Sequence, residues 1–239
     1  MAKKATSIHD THQRLGAIRW LVRETLANLI LIAMLFGAAG RWDWWMGWVL
    51  SGIYFFWTVS TAIFILPVNA AMLAERSPPH TDARKWDMAL IAAMGVFMVA
   101  EYIVAGLDVH FGWSPQFPLA LQFVGLFAAV LGYDILLVWA MVSNAFFVAT
   151  VRNQTERKHT VVSGGPYCYV RHPGYLGMIL LHWGVPFMLS SLWALIPALL
   201  YCLTLVVRTA LEDETLLAEL PGYVEYAQHV PHRLVPGVW

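Results

Sequence analysis

Arg171 and His172, followed by Pro173 and Tyr175, stand at the threshold of a long apolar stretch. Arginine offers a permanent charge on a planar fork suited to carboxylate or phosphate, and histidine can donate, accept or shuttle a proton near neutral pH. Keeping such groups against a bilayer is costly, so their presence points to chemistry. Gly164 and Gly165 precede them and allow close backbone approach or positive φ. Proline favours the first turn of a helix and disfavours helical angles in the residue before it. Pro173 should therefore open a helix, with Arg171-His172 as the loop leading in and the helix's free N–H groups facing that loop. On residue types alone the cluster suits an anionic group on a small ligand, or an arginine that anchors the interface.

A second polar cluster, Arg208-Thr-Ala-Leu-Glu212-Asp213-Glu214, follows two further apolar stretches. Arg208 and Glu212 lie four apart, on one helix face, where they could pair. Asp213 and Glu214 point elsewhere, so three successive acids exceed what one pair requires. They could take an amino group, a ribose diol or another cationic ligand; a solvated helix face is the alternative. The apolar stretches between the clusters form a hairpin, which returns both clusters to one side of a bilayer and makes one site from two distant pieces. A ligand carrying both carboxylate and amino groups would suit the pair.

The elements that must position these residues are helices in a membrane. The chain is 59% hydrophobic and only 13% charged over 239 residues, against roughly 25% charged in soluble domains. Its mean hydropathy is +0.60. So much apolar surface must face lipid, and six stretches near the ~20 residues of a membrane-crossing helix fall at about 24–40, 44–67, 87–107, 117–147, 174–190 and 192–210. The last two are short and separated by Ser190 and Ser191, so the expected architecture is an all-α integral membrane bundle of five to six transmembrane helices with a cytoplasmic loop and a C-terminal helical tail. Residues 1–147 form the N-terminal transmembrane helices, and 148–239 carry the loop, the hairpin and the tail. Before about residue 24 there is no apolar core, so no cleavable signal peptide is expected.

Fourteen of the 15 Lys and Arg residues fall on one side of this arrangement, and only Arg41 on the other. The excess of positive charge on cytoplasmic segments places both termini and both polar clusters in the cytoplasm. The expected location is a bacterial inner membrane. A net charge of zero argues against nucleic acid as a partner.

Other residues have plainer readings beside functional ones. Trp42, Trp44, Trp45 and Trp48 could cage a cation or form an interfacial aromatic belt. Cys168 and Cys202 give no disulfide framework. Glu101 and Asp134 lie inside spans, where an acid is a candidate proton relay or a partner for a tyrosine or hydroxyl. His229 and His232 have no cysteine or acid at ligand spacing, so no metal is expected. Asn144, at the end of the fourth span, is a candidate substrate contact or a helix-terminal cap.

The order His159-x-Val161-Val162-x-x-Gly165-x-Tyr167-x-x-x-Arg171-His172-Pro173-x-Tyr175-x-Gly177, then Arg208-x-x-x-Glu212-Asp213, then Tyr223-x-x-Tyr226, resembles the isoprenylcysteine carboxyl methyltransferase superfamily. The resemblance covers about residues 140–236. It implies an integral membrane enzyme that uses S-adenosyl-L-methionine, with relatives acting on phospholipid amines and on thiols. Carried over, His159, Val161, Val162, Gly165, Tyr167, His172, Pro173, Tyr175, Arg208, Glu212 and Asp213 would surround the cofactor. Arg171, Glu212 and Asn144 would serve catalysis, with Arg171 nearest the methyl-accepting group. The chain departs from the pattern at Asp213, where a second glutamate is usual, and at Leu220-Pro221-Gly222, where Phe-Gly is usual.

The implied reaction moves a methyl group to a small lipophilic or lipid acceptor, and the partners are that acceptor and the bilayer. An already activated methyl group chiefly needs positioning. A carboxylate acceptor would need only orientation by Arg171, whereas a thiol or amine would want a base. An NADPH-dependent sterol-type reductase is the competing enzyme class, for which Arg152, Arg157 and Lys158 could serve a phosphate. A transporter or scaffold is the non-enzymatic alternative, although no broken-helix pair or inverted repeat is visible. The sequence leaves the oligomeric state open.

Overall fold

The computed structural model describes residues 2–75, 84–151, 154, 157 and 159–239. Among them there is no strand, and the long helices are α1 (Ala2–Ala39), α2 (Trp45–Glu75), α3 (Lys85–Phe111), α4 (Leu119–Ser143), α5 (Pro173–Leu189) and α6 (Leu195–Glu219). A 3-10 turn at Gly165–Cys168 and a short helix α7 (Tyr223–His229) complete the C-terminal part.

The helices start and stop somewhat differently from the apolar runs. The first extends back through the polar N-terminal residues, because nothing there breaks a helix. The second continues through Pro67 to Glu75; proline inside a helix loses one hydrogen bond, which helices at a membrane tolerate where neighbours re-satisfy the backbone. The fourth ends at Ser143 and carries a π-helical stretch at Val130–Leu137. The sixth runs on to Glu219, well past the apolar limit near 210, so the acidic cluster lies on a continuous helix.

Both bundle ends are tied by polar contacts. At one end Arg208 of α6 pairs with Asp87 of α3, Nε to Oδ1 at 2.7 Å, and Arg84 pairs with Glu219. At the other, Asp108 accepts from Ser114 N and Oγ at 2.7 and 2.6 Å and from Ser191 Oγ. There too His110 Nδ1 approaches the Ala39 carbonyl at 3.2 Å, and Gln116 donates to Ser190 Oγ at 3.1 Å. The α5–α6 turn, closed by Ser190 at φ 59°, therefore lies at the far end from Arg171. Among the described residues, five helices are long and apolar enough to cross a membrane. The 17-residue α5 spans about 26 Å and runs between the same two ends.

Helix α5 lies unusually close to α4. A Cβ on Gly125 would fall 2.5 Å from the Gly184 carbonyl oxygen, and one on Gly132 would fall 2.3 Å from that of Gly177. Both glycine pairs are seven residues apart, so the two helices run antiparallel with their backbones touching at two successive levels. Close approach through small residues is a main source of helix association in lipid. Elsewhere the core is apolar, centred on Leu35, Leu50, Tyr102, Leu181 and Met188.

The intramembrane acids differ in their surroundings. Glu101 pairs with His182 across α3 and α5, Oε2 to Nδ1 at 2.6 Å, rather than with the tyrosine or hydroxyl expected from the sequence. The His182 ring lies on that of Tyr201, centroids 3.6 Å apart. Asp134 is buried in the π-helical stretch, and its Oδ1 has no hydrogen-bond partner among the described residues. Trp42 and Trp48 pack on Phe36, with centroids at 5.2 and 4.6 Å.

Candidate functional site

The turn after α4 builds one wall of the site. Asn144 terminates the helix, and its Oδ1 accepts the Phe146 N–H at 2.8 Å while its Nδ2 donates to the Tyr167 hydroxyl at 3.2 Å. Gln154 then donates to the Phe146 carbonyl at 2.7 Å. His159 comes back over Phe146, ring centroids 4.6 Å apart. Asn144 thus satisfies backbone at the helix end, as one of its two readings expected, and its amide also reaches Tyr167.

Gly165 has φ +61°, and a Cβ there would sit 2.2 Å from Ser143 Oγ. Its conformational freedom serves a tight approach of the 3-10 turn to the end of α4. This turn carries Tyr167, whose carbonyl accepts the Tyr226 hydroxyl at 2.6 Å. Burial pushes the Tyr167 phenol above its ordinary pKa, as it does those of Tyr223 and Tyr226, so all three remain hydroxyls at neutral pH. Cys168 is exposed and donates to the Gly165 carbonyl at 2.9 Å.

Pro173 opens α5 with His172 just before it. Across the hairpin, Asp213 is fully buried and gathers four partners. Arg171 donates from Nε and Nη2 to its two oxygens, both at 2.8 Å. Arg233 approaches at 2.8 Å, Tyr223 donates at 2.9 Å, and His172 Nε2 lies at 3.3 Å. Arg171 Nη1 also donates to the carbonyls of Val230 and Pro231 at 2.8 and 2.9 Å. The backbone N–H groups of Arg171 and His172 donate to the His232 and Arg233 carbonyls, both at 2.9 Å. Burial draws the Arg171 guanidinium down and Asp213 more than restores it, leaving its pKa above the ordinary value. The loop, α6 and the tail are therefore clamped through one carboxylate.

A second buried pair supports the other side. Besides Asp87, Arg208 donates to the Ala149 carbonyl at 2.7 Å, and Asp87 Oδ2 accepts Val151 N–H at 2.7 Å. The Arg208 guanidinium lies 5.0 Å from the centroid of Tyr175, which in turn stacks on His172 at 5.7 Å. The Tyr175 hydroxyl donates to Glu212 Oε2.

Between these walls lies a cleft enclosing about 950 Å³ of empty space, open solvent included. Of the residues the sequence pointed to, Asn144, His159, Val161, Val162, Tyr167, Arg171, His172, Tyr175 and Glu212 line it. Gly165, Pro173, Arg208 and Asp213 are not among its lining residues; they hold the lining in place. Glu212 and Arg208 do not form the helical pair their spacing allowed, because Asp87 takes Arg208 and Tyr175 takes Glu212. Arg171 faces the cleft, but its charge is committed to Asp213 rather than standing open for an acceptor. Arg152 and Lys158 lie outside the described residues, and Arg157 donates to Gln154 Oε1 at 2.6 Å and to the Ala145 carbonyl at 2.9 Å.

Sequence reasoning missed Asp87, Gln154 and the two phenylalanines at 146 and 147. Asp87 carried a weak signal, an acid in the first turn of an apolar helix at the membrane boundary. Its partner, Arg208, stood out for a different pairing, and nothing in the sequence linked two residues 121 apart. No group of three or more metal-ligating side chains occurs among the described residues.

The cleft fits an adenosyl-amino-acid ligand on its own chemistry. The paired rings Phe146–His159 and His172–Tyr175 offer flat surfaces, and the phenols and amides offer donors and acceptors for ribose and amino groups. In comparison with known proteins, residues 124–218 match the sequence model of the isoprenylcysteine carboxyl methyltransferase (ICMT) family. No curated protein matches the chain.

Proposed function

We propose, from the premise that residues 124–218 belong to the isoprenylcysteine carboxyl methyltransferase family and that the chain is a membrane methyltransferase, that the cleft between α4, α5, α6 and the tail binds S-adenosyl-L-methionine. The observation that supports this reading best is the convergence of both polar clusters on one cleft at one end of the bundle, with Tyr167, His172, Tyr175 and Glu212 in its wall. When bound, the cofactor supplies a methyl group activated by a sulfonium centre. His159, Val161, Val162, Tyr167, His172 and Tyr175 hold it, and Asn144 and Glu212 face the acceptor. Arg171, with Asp213, positions the His172 loop rather than contacting the acceptor.

The acceptor is a small lipophilic or lipid molecule. It reaches the cleft from the bilayer, because Phe147 lines the cleft and also packs into the intramembrane cluster of Trp57, Leu137 and Met141. The segregation of basic residues supports a cleft on the cytoplasmic face. Calorimetry or thermal shift of the purified chain with S-adenosylhomocysteine tests the reading, with NADPH as the competing arm. At 100 times its Kd a ligand stabilises by about 2.7 kcal/mol. Stabilisation by NADPH alone would overturn the assignment.

A further inference from the structure

We infer that the acceptor presents an uncharged group bearing a proton, a thiol or an amine, and not a carboxylate, and that Glu212 receives the proton. This rests on the methyltransferase reading above and specifies its substrate.

Among the described residues, the two arginines of the polar clusters are both committed elsewhere. Arg171 places Nε and Nη2 on Asp213 and Nη1 on two tail carbonyls. Arg208 places Nε on Asp87 and Nη2 on the Ala149 carbonyl, and lies behind the Tyr175 ring. Both are buried with buried carboxylate partners: releasing Arg208 would leave Asp87 without its cation in the protein interior, and releasing Arg171 would break two bonds to Asp213 and two to tail carbonyls at once. Arg84, at the rim, is paired with Glu219.

What the cleft offers in their place is a carboxylate. Glu212 lines it, half-buried, with one oxygen accepting the Tyr175 hydroxyl. A carboxylate acceptor would meet like charge among the apolar side chains of Phe146, Phe147, Val161 and Leu216, and like charges facing one another across a binding surface cost several kcal/mol. A thiol or neutral amine meets no such cost, and it has the proton that a carboxylate base can take. The balance is complete: the acceptor's lone pair forms the new bond to the methyl carbon, the old methyl–sulfur electron pair stays on the donor sulfur, and the acceptor's proton passes to Glu212. Tyr175, hydrogen-bonded to Glu212, orients that carboxylate.

The test uses the full chain in lipid nanodiscs with 1-octanethiol, octylamine and octanoate. Binding to protein saturated with S-adenosylhomocysteine is read by calorimetry, and labelled methyl transfer is read separately. The thiol or the amine should bind at least about tenfold tighter than octanoate and be methylated, while methyl octanoate does not form. Glu212→Gln should narrow the binding preference and cut turnover by about 100-fold or more, with S-adenosylhomocysteine affinity held within about threefold. Tyr175→Phe, which keeps the ring and removes only the hydroxyl bonded to Glu212, should lower kcat. Formation of methyl octanoate, methylation of neither protic acceptor, or normal turnover in Glu212→Gln overturns the inference. Wild-type protein that binds no S-adenosylhomocysteine fails at the earlier step, and so separates loss of the cofactor reading from loss of this one.

Discussion

Arg171 and Asp213, 42 residues apart, meet in a two-point ion pair with both N–O distances at 2.8 Å. It joins the loop before α5 to the middle of the acidic cluster on α6. Because Arg233 and Tyr223 reach the same carboxylate, the pair also pins the C-terminal tail over the cleft. A residue whose charge suggested substrate binding is, in the folded chain, the keystone of the wall around it.

Arg171→Lys keeps the charge but loses the planar fork. It cannot hold both Asp213 oxygens and two tail carbonyls together, and the expected loss of stability is on the order of 2 kcal/mol. Asp213→Ala, which leaves buried cations unpaired, should cost about 3–5 kcal/mol. Denaturation of both single variants and the double variant checks this. A double variant less destabilised than the sum of the singles identifies the coupling; strict additivity would show that the two residues act apart.

Gly132→Ala should loosen α4 from α5, since its Cβ would lie 2.3 Å from a backbone oxygen that cannot move aside easily. Overpacking of this kind costs about 1–3 kcal/mol. Gly52→Ala, where a Cβ meets nothing within 4 Å, is the matched control and should be neutral or slightly stabilising. Thermal unfolding in detergent compares them, and equal midpoints would remove the glycine contact from the account of the fold.

Tyr167, Tyr223 and Tyr226 have phenols raised above their ordinary pKa by burial first of all. The folded state therefore keeps these protons longer than the unfolded state does. Their contribution is complete below the unfolded value of about 10 and is lost as pH rises through the higher folded values. Unfolding midpoints should fall above about pH 10. Phenolate absorbance at about pH 11 should be unchanged when any one of the three is replaced by Phe; a drop would show that phenol to be ordinary.

Single cysteines at Trp113 and Val238, in a background with Cys168 and Cys202 replaced by Ser, report the two bundle ends. The basic asymmetry predicts that Val238→Cys is labelled only from the cytoplasmic side and Trp113→Cys only from the outside. The reverse pattern would remove the cleft from the cytoplasm.

The helical membrane class, the approximate spans and the hairpin that unites the two polar clusters were legible in the chain itself. Lipid leaves helices as the simplest way to satisfy every backbone group, so apolar length alone reveals them, and Pro173 marks the start of α5 by local sterics. The stack of His172 on Tyr175 and its reach to Glu212 follow from residues three apart and one hairpin away. What tertiary structure decided was which charges remain available. Spacing offered Arg208 to Glu212, but Asp87, at the start of α3, is nearer in space and dry, and takes it. Likewise Arg171 satisfies Asp213 because a buried carboxylate must be paired, and the tail carbonyls complete the guanidinium's bonds. Charge pairing in a low-dielectric interior depends on distances of a few ångströms between remote segments, and no local pattern encodes those. Residue types therefore located the cleft, while the packing of α3, α6 and the tail determined that Arg171 and Arg208 are held by Asp213 and Asp87 and that Glu212 lines the cleft.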